Sequence, residues 1–151
     1  MCHEVQRRLE CDAASVRIGR HFVIATLERW GVTDDDVAYP VTDDLVLVAS
    51  ELLTNAIRVC AGPIALRMSA HRDHVELSVI DDSTFEVTPK QLTAFSPGGR
   101  GLGIVAEISE AWGQRTRDDG TKEVWCRLAV PPGSRIGDYC TIGAVSSDLS
   151  C

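Results

Sequence analysis

The chain has 151 residues, of which 15 are Lys or Arg and 22 are Asp or Glu, giving a formal charge of −7 with the histidines neutral. That balance disfavours a grip on nucleic acid, which needs clustered basic side chains against phosphate. With 44% hydrophobic residues the chain can bury a core of its own, so disorder of the bulk is excluded and neither disulfide nor metal is needed for folding.

The start, MCHEVQRRLE, has no apolar stretch of the kind a signal peptide carries, and no apolar run approaches the roughly 18 residues of a membrane span. A cytoplasmic protein is expected. The six cysteines, Cys2, Cys11, Cys60, Cys126, Cys140 and Cys151, form no CxxC pair and no metal-ligand spacing, so reduced thiols are expected.

In chain order, a first strand is predicted from Val5 to Cys11. An amphipathic helix follows, capped by Asp12 or Ser15, carrying Val16, Phe22, Val23, Leu27 and Trp30 and ended by Gly31. The acidic, turn-rich VTDDDVAYPVTDD leads into a second helix from about Thr42 to Cys60, with Asp43 and Asp44 at its positive end. IALRMSA and HVELSVI alternate at period two around His71-Arg72-Asp73 and read as an antiparallel hairpin, stopping at Asp81-Asp82-Ser83. Residues 83–99 read as a long loop, and loops of that length tend to serve function. A third helix is predicted from Leu102 to Ala111. WGQRTR and KEVWCRLAV close the domain as a hairpin around Asp118-Asp119-Gly120, and the Gly- and Ser-rich tail after Pro131-Pro132 is expected to lack order. There is no internal repeat. These elements imply an α+β layer, one mixed sheet with helices on one face.

The second helix, LVLVASELLTNAIRVC, is apolar nearly all round, but Glu51, Asn55 and Arg58 share one stripe with Asp44 two turns earlier. Two readings of the stripe hold at this point. It is either a solvated face on which Glu51 pairs with Arg58, or a site where Asn55 brings an oxygen to a hard cation and Glu51 orients or deprotonates a nucleophile. Asp81, at the end of an apolar strand, is either a strand-ending Asx turn or an acceptor for an exocyclic amine. In GGRGLGIV, Gly98, Gly99, Gly101 and Gly103 let the backbone approach an anion at a helix N-terminus. The motif follows a long loop and has no βαβ unit around it, so it is not a Rossmann fingerprint, and no GxxxxGK[ST] is present.

The ordered set, E-x-x-x-N on a helix, Asp at a strand end, a loose loop, a Gly-rich helix start and then Gly120-Thr121 before a strand, resembles the GHKL ATPase superfamily. Within it, ELLTNAIR, VIDDST and GGRGLGIVAEISEAWG are most similar to the small bacterial anti-sigma-factor serine/threonine kinases. The resemblance covers roughly Arg8 to Val130. It implies a two-layer α/β sandwich of the Bergerat type, an ATP-binding domain over residues 1–131 and a flexible tail over 132–151.

Position by position, the resemblance makes Glu51 the residue that polarises the nucleophile and Asn55 the Mg²⁺ ligand. Arg58 closes the same box toward phosphate, and Asp81 reads the adenine amino group. Gly99, Arg100, Gly101, Leu102 and Gly103 form the phosphate-side loop, and Thr121 supports the adenine end. Ser83 stands where many members have glycine. The activity implied is Mg²⁺-dependent transfer of phosphate from ATP to a serine of an anti-sigma-factor antagonist. The implied partners are that antagonist and a sigma factor, the implied assembly a homodimer. Two rivals differ in class: a nucleotide-dependent interaction module without kinase activity, and the catalytic domain of a histidine kinase. The latter fails because His3, His21, His71 and His74 sit on no dimerisation helix pair and no sensor region precedes the domain. Trp30, Trp112 and Trp125 read as core or interface aromatics, and His71 and His74 as solvated residues at a hairpin turn.

Overall fold

A computed structural model describes residues 3–31, 41–82 and 101–130. The described elements are β1 (His3–Leu9), α1 (Ala14–Arg29), α2 (Val41–Val59), β2 (Ile64–Ala70), β3 (His74–Asp81), α3 (Gly101–Ile108), β4 (Ala111–Thr116) and β5 (Lys122–Ala129). The tail expected over 132–151 lies outside the described residues.

The strands form one sheet in the order β1-β2-β3-β5-β4, and every described pairing is antiparallel. The mixed sheet expected from the sequence is corrected by this order. β4 runs in the same direction as β3, but β5 lies between them, so no parallel ladder forms. The architecture is otherwise the expected α+β sandwich, with α1 and α2 packed on each other, α2 lying across β3 and β5, and α3 against α2.

The pleat sorts the side chains. Met68, Leu77, Cys126 and Trp112 stand side by side across β2, β3, β5 and β4 on the face toward the helices. Alternate residues point the other way. The helical side of the core comes from Val23, Leu27 and Trp30 of α1 and from Leu45, Val48, Ala49, Leu52, Leu53 and Ala56 of α2. Trp30 is thus a core residue.

Helix ends follow local chemistry. Asp12 Oδ1 accepts the Ser15 N–H at 3.1 Å, so of the two expected caps Asp12 performs the capping, while the Ser15 hydroxyl donates to the Glu10 carbonyl at 2.7 Å. Gly31 ends α1 with φ of 73°, a left-handed conformation that a side chain would oppose. The helix α3 stops at Ile108, short of the Ala111 expected, because the Glu110 N–H donates to the Arg127 carbonyl and the chain enters the sheet.

Reduced thiols throughout were expected; instead Cys11 and Cys60 form a disulfide, with Cα atoms 6.1 Å apart across a separation of 49 residues. Their pairing depends on the β1–α1 corner meeting the C-terminal end of α2, which no sequence spacing reveals. Cys126 is free and buried, and burial pushes its thiol up to about 12.

The sheet face turned away from the helices carries charge. Glu123 of β5 accepts from Arg67 of β2 and Arg115 of β4, and Glu76 of β3 accepts from Arg115 at 2.8 Å and Arg127 at 3.1 Å. Arg115 and Arg127 lie 5.4 and 5.2 Å from the ring of Trp125. At the β2–β3 turn, the rings of His71 and His74 stack at 4.2 Å and are half-buried, more sheltered than a solvated pair.

Candidate nucleotide site

α2 positions the first group of residues. Its buried face runs through Leu45, Val48, Ala49, Leu52, Leu53 and Ala56, and helical spacing sets Asn55 beside Val48 and Leu52 at the border of that face. Glu51 and Asn55 are half-buried and Arg58 is exposed. Among the described residues Glu51 forms no ion pair with Arg58, so the pairing that a solvated stripe required is not made. Asn55 Nδ2 is fully buried and has no hydrogen-bond partner among the described residues. A buried amide left unpaired costs free energy, so it marks a place where a ligand can repay the loss of water.

The sheet positions the second group. Asp81 ends β3 with its side chain 1% exposed, and Lys122 opens β5 directly opposite it. The Lys122 ammonium lies 3.6 Å from Asp81 Oδ2 with its own side chain 8% exposed. Both stand on the helix-facing side of the sheet, one step along from Val79 and Val124. Asp82 points elsewhere and accepts the Ala61 N–H at 3.3 Å, tying the α2–β2 turn to the end of β3. Asp81 is therefore held between a buried lysine and a braced turn, not solvated as a simple strand-ending turn would be.

Thr121, just before β5, lines a cavity together with Asp81 and Asp82. Its hydroxyl donates to Asp119 Oδ1 at 2.5 Å and its N–H donates to the same oxygen at 2.9 Å, bonds that hold the Asp119 carboxyl below its ordinary range. The residue across the ladder from Asp81 is Lys122. Strand period could have found it: counting back by twos from Leu128 through Cys126 and Val124 lands on Lys122, and a lysine on an inner face is a signal in itself. That cavity of about 350 Å³ reaches Arg8, Ala65, Ile80, Asp81 and Asp82. Its lining joins Arg8, Ala65 and Ile80 from the face away from the helices to Ile64 and Asp81 from the helix-facing one, so the cavity lies at the end of the sheet where β3 stops at Asp81.

α3 supplies the third group. Gly101 opens the helix, Gly103 is exposed with open space where a Cβ would stand, and Val105 buries the helix against the core. The structure brings this helix onto α2, the element that carries Glu51 and Asn55. Ser83, Gly98, Gly99 and Arg100 lie outside the described residues, as does the side chain of Leu102.

Residues 9–128 match the family model for a histidine kinase-like ATPase domain, a span that covers well over half of the chain. The chain belongs to the histidine kinase-like ATPase family. No curated protein matches it. Membership carries ATP binding with it, and the residues present fit that ligand: an amide nitrogen on α2 that is buried and unpartnered among the described residues, a buried carboxylate at the end of β3 and a glycine-opened helix. Among the described residues no helix is long and apolar enough to cross a membrane.

Proposed function

We propose that this ATPase-family domain is a regulator with serine/threonine kinase activity toward an anti-sigma-factor antagonist, acting by partner switching in transcription control. The observation that carries the reading is Asn55, whose buried amide nitrogen has no partner among the described residues and which lies one turn from the half-buried Glu51 on the same helix. The orphan N–H of Asn55 calls for an acceptor, which a phosphate oxygen of a bound nucleotide would supply.

In this reading Asn55 would hold Mg²⁺ through its amide oxygen, and the ion would neutralise charge on the phosphates when bound. Asp81 accepts a hydrogen bond from the adenine amine. The backbone N–H groups at Gly101 and Gly103 receive phosphate oxygens at the positive end of α3. Glu51 accepts the proton of the incoming serine hydroxyl as the serine oxygen bonds to phosphorus and the bond from phosphorus to ADP breaks. The protein partners in this scheme are a sigma factor and its antagonist, the working form is a homodimer, and the site of action is the cytoplasm. Neither nucleic acid nor membrane is contacted directly, in keeping with the −7 charge.

The test is incubation with γ-labelled ATP, Mg²⁺ and candidate antagonist proteins. Label on a serine of an antagonist is the expected result; bound ATP without transfer to any antagonist would replace the kinase with the alternative, a nucleotide-dependent interaction module. That alternative draws on Ser83 standing in place of the family's glycine and on the unexpected lysine at Asp81.

A further inference from the structure

Cys60 directly follows α2, and its N–H donates to the Ala56 carbonyl at 2.8 Å, so it continues the helical ladder that carries Glu51 and Asn55. Asn55 lies five residues earlier, about 7.5 Å along the helix axis at 1.5 Å per residue. Beyond Cys60, the Ala61 N–H donates to Asp82 Oδ1 at 3.3 Å, and a Cβ on Gly62 would come within 3.1 Å of Asp82 Oδ2. Residues 60–62 are thus held on one side by Cys11 and on the other by the neighbour of Asp81. One covalent bond therefore constrains both the helix that bears Asn55 and the turn that braces the end of β3. Both of its cysteines are half-buried, within reach of a dithiol, whereas Cys126 is buried. The Cys11 sulfur lies 3.2 Å from the Cys60 carbonyl oxygen and 3.9 Å from that of Ile57, at a helix end where carbonyls lack intrahelical partners. A Cys11 thiol has acceptors waiting there, so the bond can open without stranding the group it releases.

We propose that Cys11 and Cys60 form a thiol–disulfide switch that sets the affinity of the domain for nucleotide, the oxidised form binding Mg²⁺-ATP more tightly than the reduced one. The inference rests on the nucleotide-binding and cytoplasmic reading above; in a compartment that keeps thiols reduced, a disulfide is usually transient and redox-sensing. The reductant is a dithiol. Its thiolate attacks one sulfur of the pair, the S–S bond breaks, and the other cysteine leaves as a thiolate that takes up a proton. The second thiol then attacks the mixed disulfide, releasing the second cysteine and closing the reductant's own disulfide. Two electrons and two protons pass from the dithiol to the pair, and the reverse exchange with an oxidised dithiol remakes the bond. Reduction frees residues 60–62 from the β1–α1 corner, so the end of α2 and the turn on Asp82 gain freedom that a bound nucleotide must remove. Linkage makes the effect reciprocal: bound nucleotide makes the disulfide harder to reduce by the same factor.

The experiment measures Mg²⁺-ATP affinity by calorimetry for the full chain with the bond formed, for the same chain reduced with dithiothreitol, and for the Cys11→Ser, Cys60→Ser double variant under both conditions. The oxidised chain is expected to bind about fivefold or more tighter than the reduced one, the scale of an ordinary coupling between sites. The double variant is expected to bind as the reduced chain does, with and without dithiothreitol. In a dithiothreitol titration read by alkylation and peptide mass mapping of Cys11 and Cys60, Mg²⁺-ATP is expected to shift the reduction equilibrium by that same factor. Equal affinity in the two forms, a redox dependence that persists in the double variant, or a reduction equilibrium that ignores nucleotide would each overturn the proposal while leaving nucleotide binding intact. Loss of the far-UV helical signal on reduction would make the bond a structural staple and likewise overturn it. The wild-type comparison and the reduction equilibrium stand even if the double variant fails to fold. If neither form binds ATP, the nucleotide reading fails and the switch with it, a result distinct from all of these.

Discussion

Arg115 of β4 stands directly across the ladder from Glu123 of β5, and its Nε donates to Glu123 Oε2 at 2.8 Å. Arg67 reaches the other oxygen of the same carboxylate from β2, so one acidic side chain links three strands, passing over β3. Glu123 is nearly covered, with 3% of its side chain exposed, whereas 41% of the Arg115 side chain remains in water.

Replacing this carboxylate by an amide removes the charge that Arg67 and Arg115 share. Glu123→Gln is expected to lower stability by about 2–3 kcal/mol, below the 3–5 of a fully buried broken pair because Arg115 stays partly hydrated. Urea denaturation of the two proteins measures the difference.

Acid should act through the same network. Burial alone would raise the Glu76 and Glu123 carboxyls, but hydrogen bonds from Arg115 and Arg127 to Glu76, and from Arg115 to Glu123, outweigh it and hold both below the ordinary 4.5. A carboxyl depressed in the folded state contributes stability that is complete above its unfolded value and is lost as pH falls through its folded one. Stability is therefore expected to decline below about pH 4.5, and to decline less steeply in Glu123→Gln. Identical slopes in pH-dependent denaturation would contradict the role given to Glu123.

Asn55→Ala separates ligand chemistry from folding. Its amide nitrogen has no partner to lose among the described residues, so the melting temperature without nucleotide should hold or rise slightly. The affinity for Mg²⁺-ATP should fall about tenfold or more, with loss of the stabilisation that ligand gives. Calorimetric titration alongside thermal melting reads both, and unchanged affinity would remove Asn55 from the site.

Glu51→Ala is expected to keep nucleotide binding and to lower phosphotransfer by about 10²-fold or more, the range for removing a group that handles a proton. Undiminished transfer in the labelled-ATP assay would refute the role assigned to Glu51.

The Cys11–Cys60 bond closes the segment that includes α1 and α2. Exchanging both cysteines for serine should cost about 2–4 kcal/mol, as expected for a loop of this length. Alkylation of the denatured but unreduced chain should modify Cys126 and spare Cys11 and Cys60, which peptide mass mapping would show.

What the sequence discloses depends on whether the physics is local. The two hairpins and α2 are legible because period two and period 3.6 are written directly into IALRMSA, HVELSVI and LVLVASELLTNAIRVC. The end of α3 is misjudged because apolar GIVAEISEAW continues a helical pattern while the Glu110 N–H is claimed by a strand distant in sequence. Thr121 draws attention through its Gly-Thr pair, yet the pleat turns Lys122 toward Asp81, and the disulfide follows from a tertiary meeting of two helix ends. Asp81, Glu51 and Asn55 are found by residue type and spacing, but only the fold shows that Asn55 Nδ2 is buried without a partner among the described residues.

β1 and β4 are the outermost strands of the described sheet; β1 carries two exposed guanidinium groups, Arg7 and Arg8, while the Arg115 guanidinium of β4 is paired with Glu76 and Glu123. An acidic molecule thus wears a basic stretch along β1, where an incoming strand would pair. Pairing β1 of one copy with β1 of another would bring the Arg7 and Arg8 guanidiniums of the two together, which opposes extending the sheet through that edge.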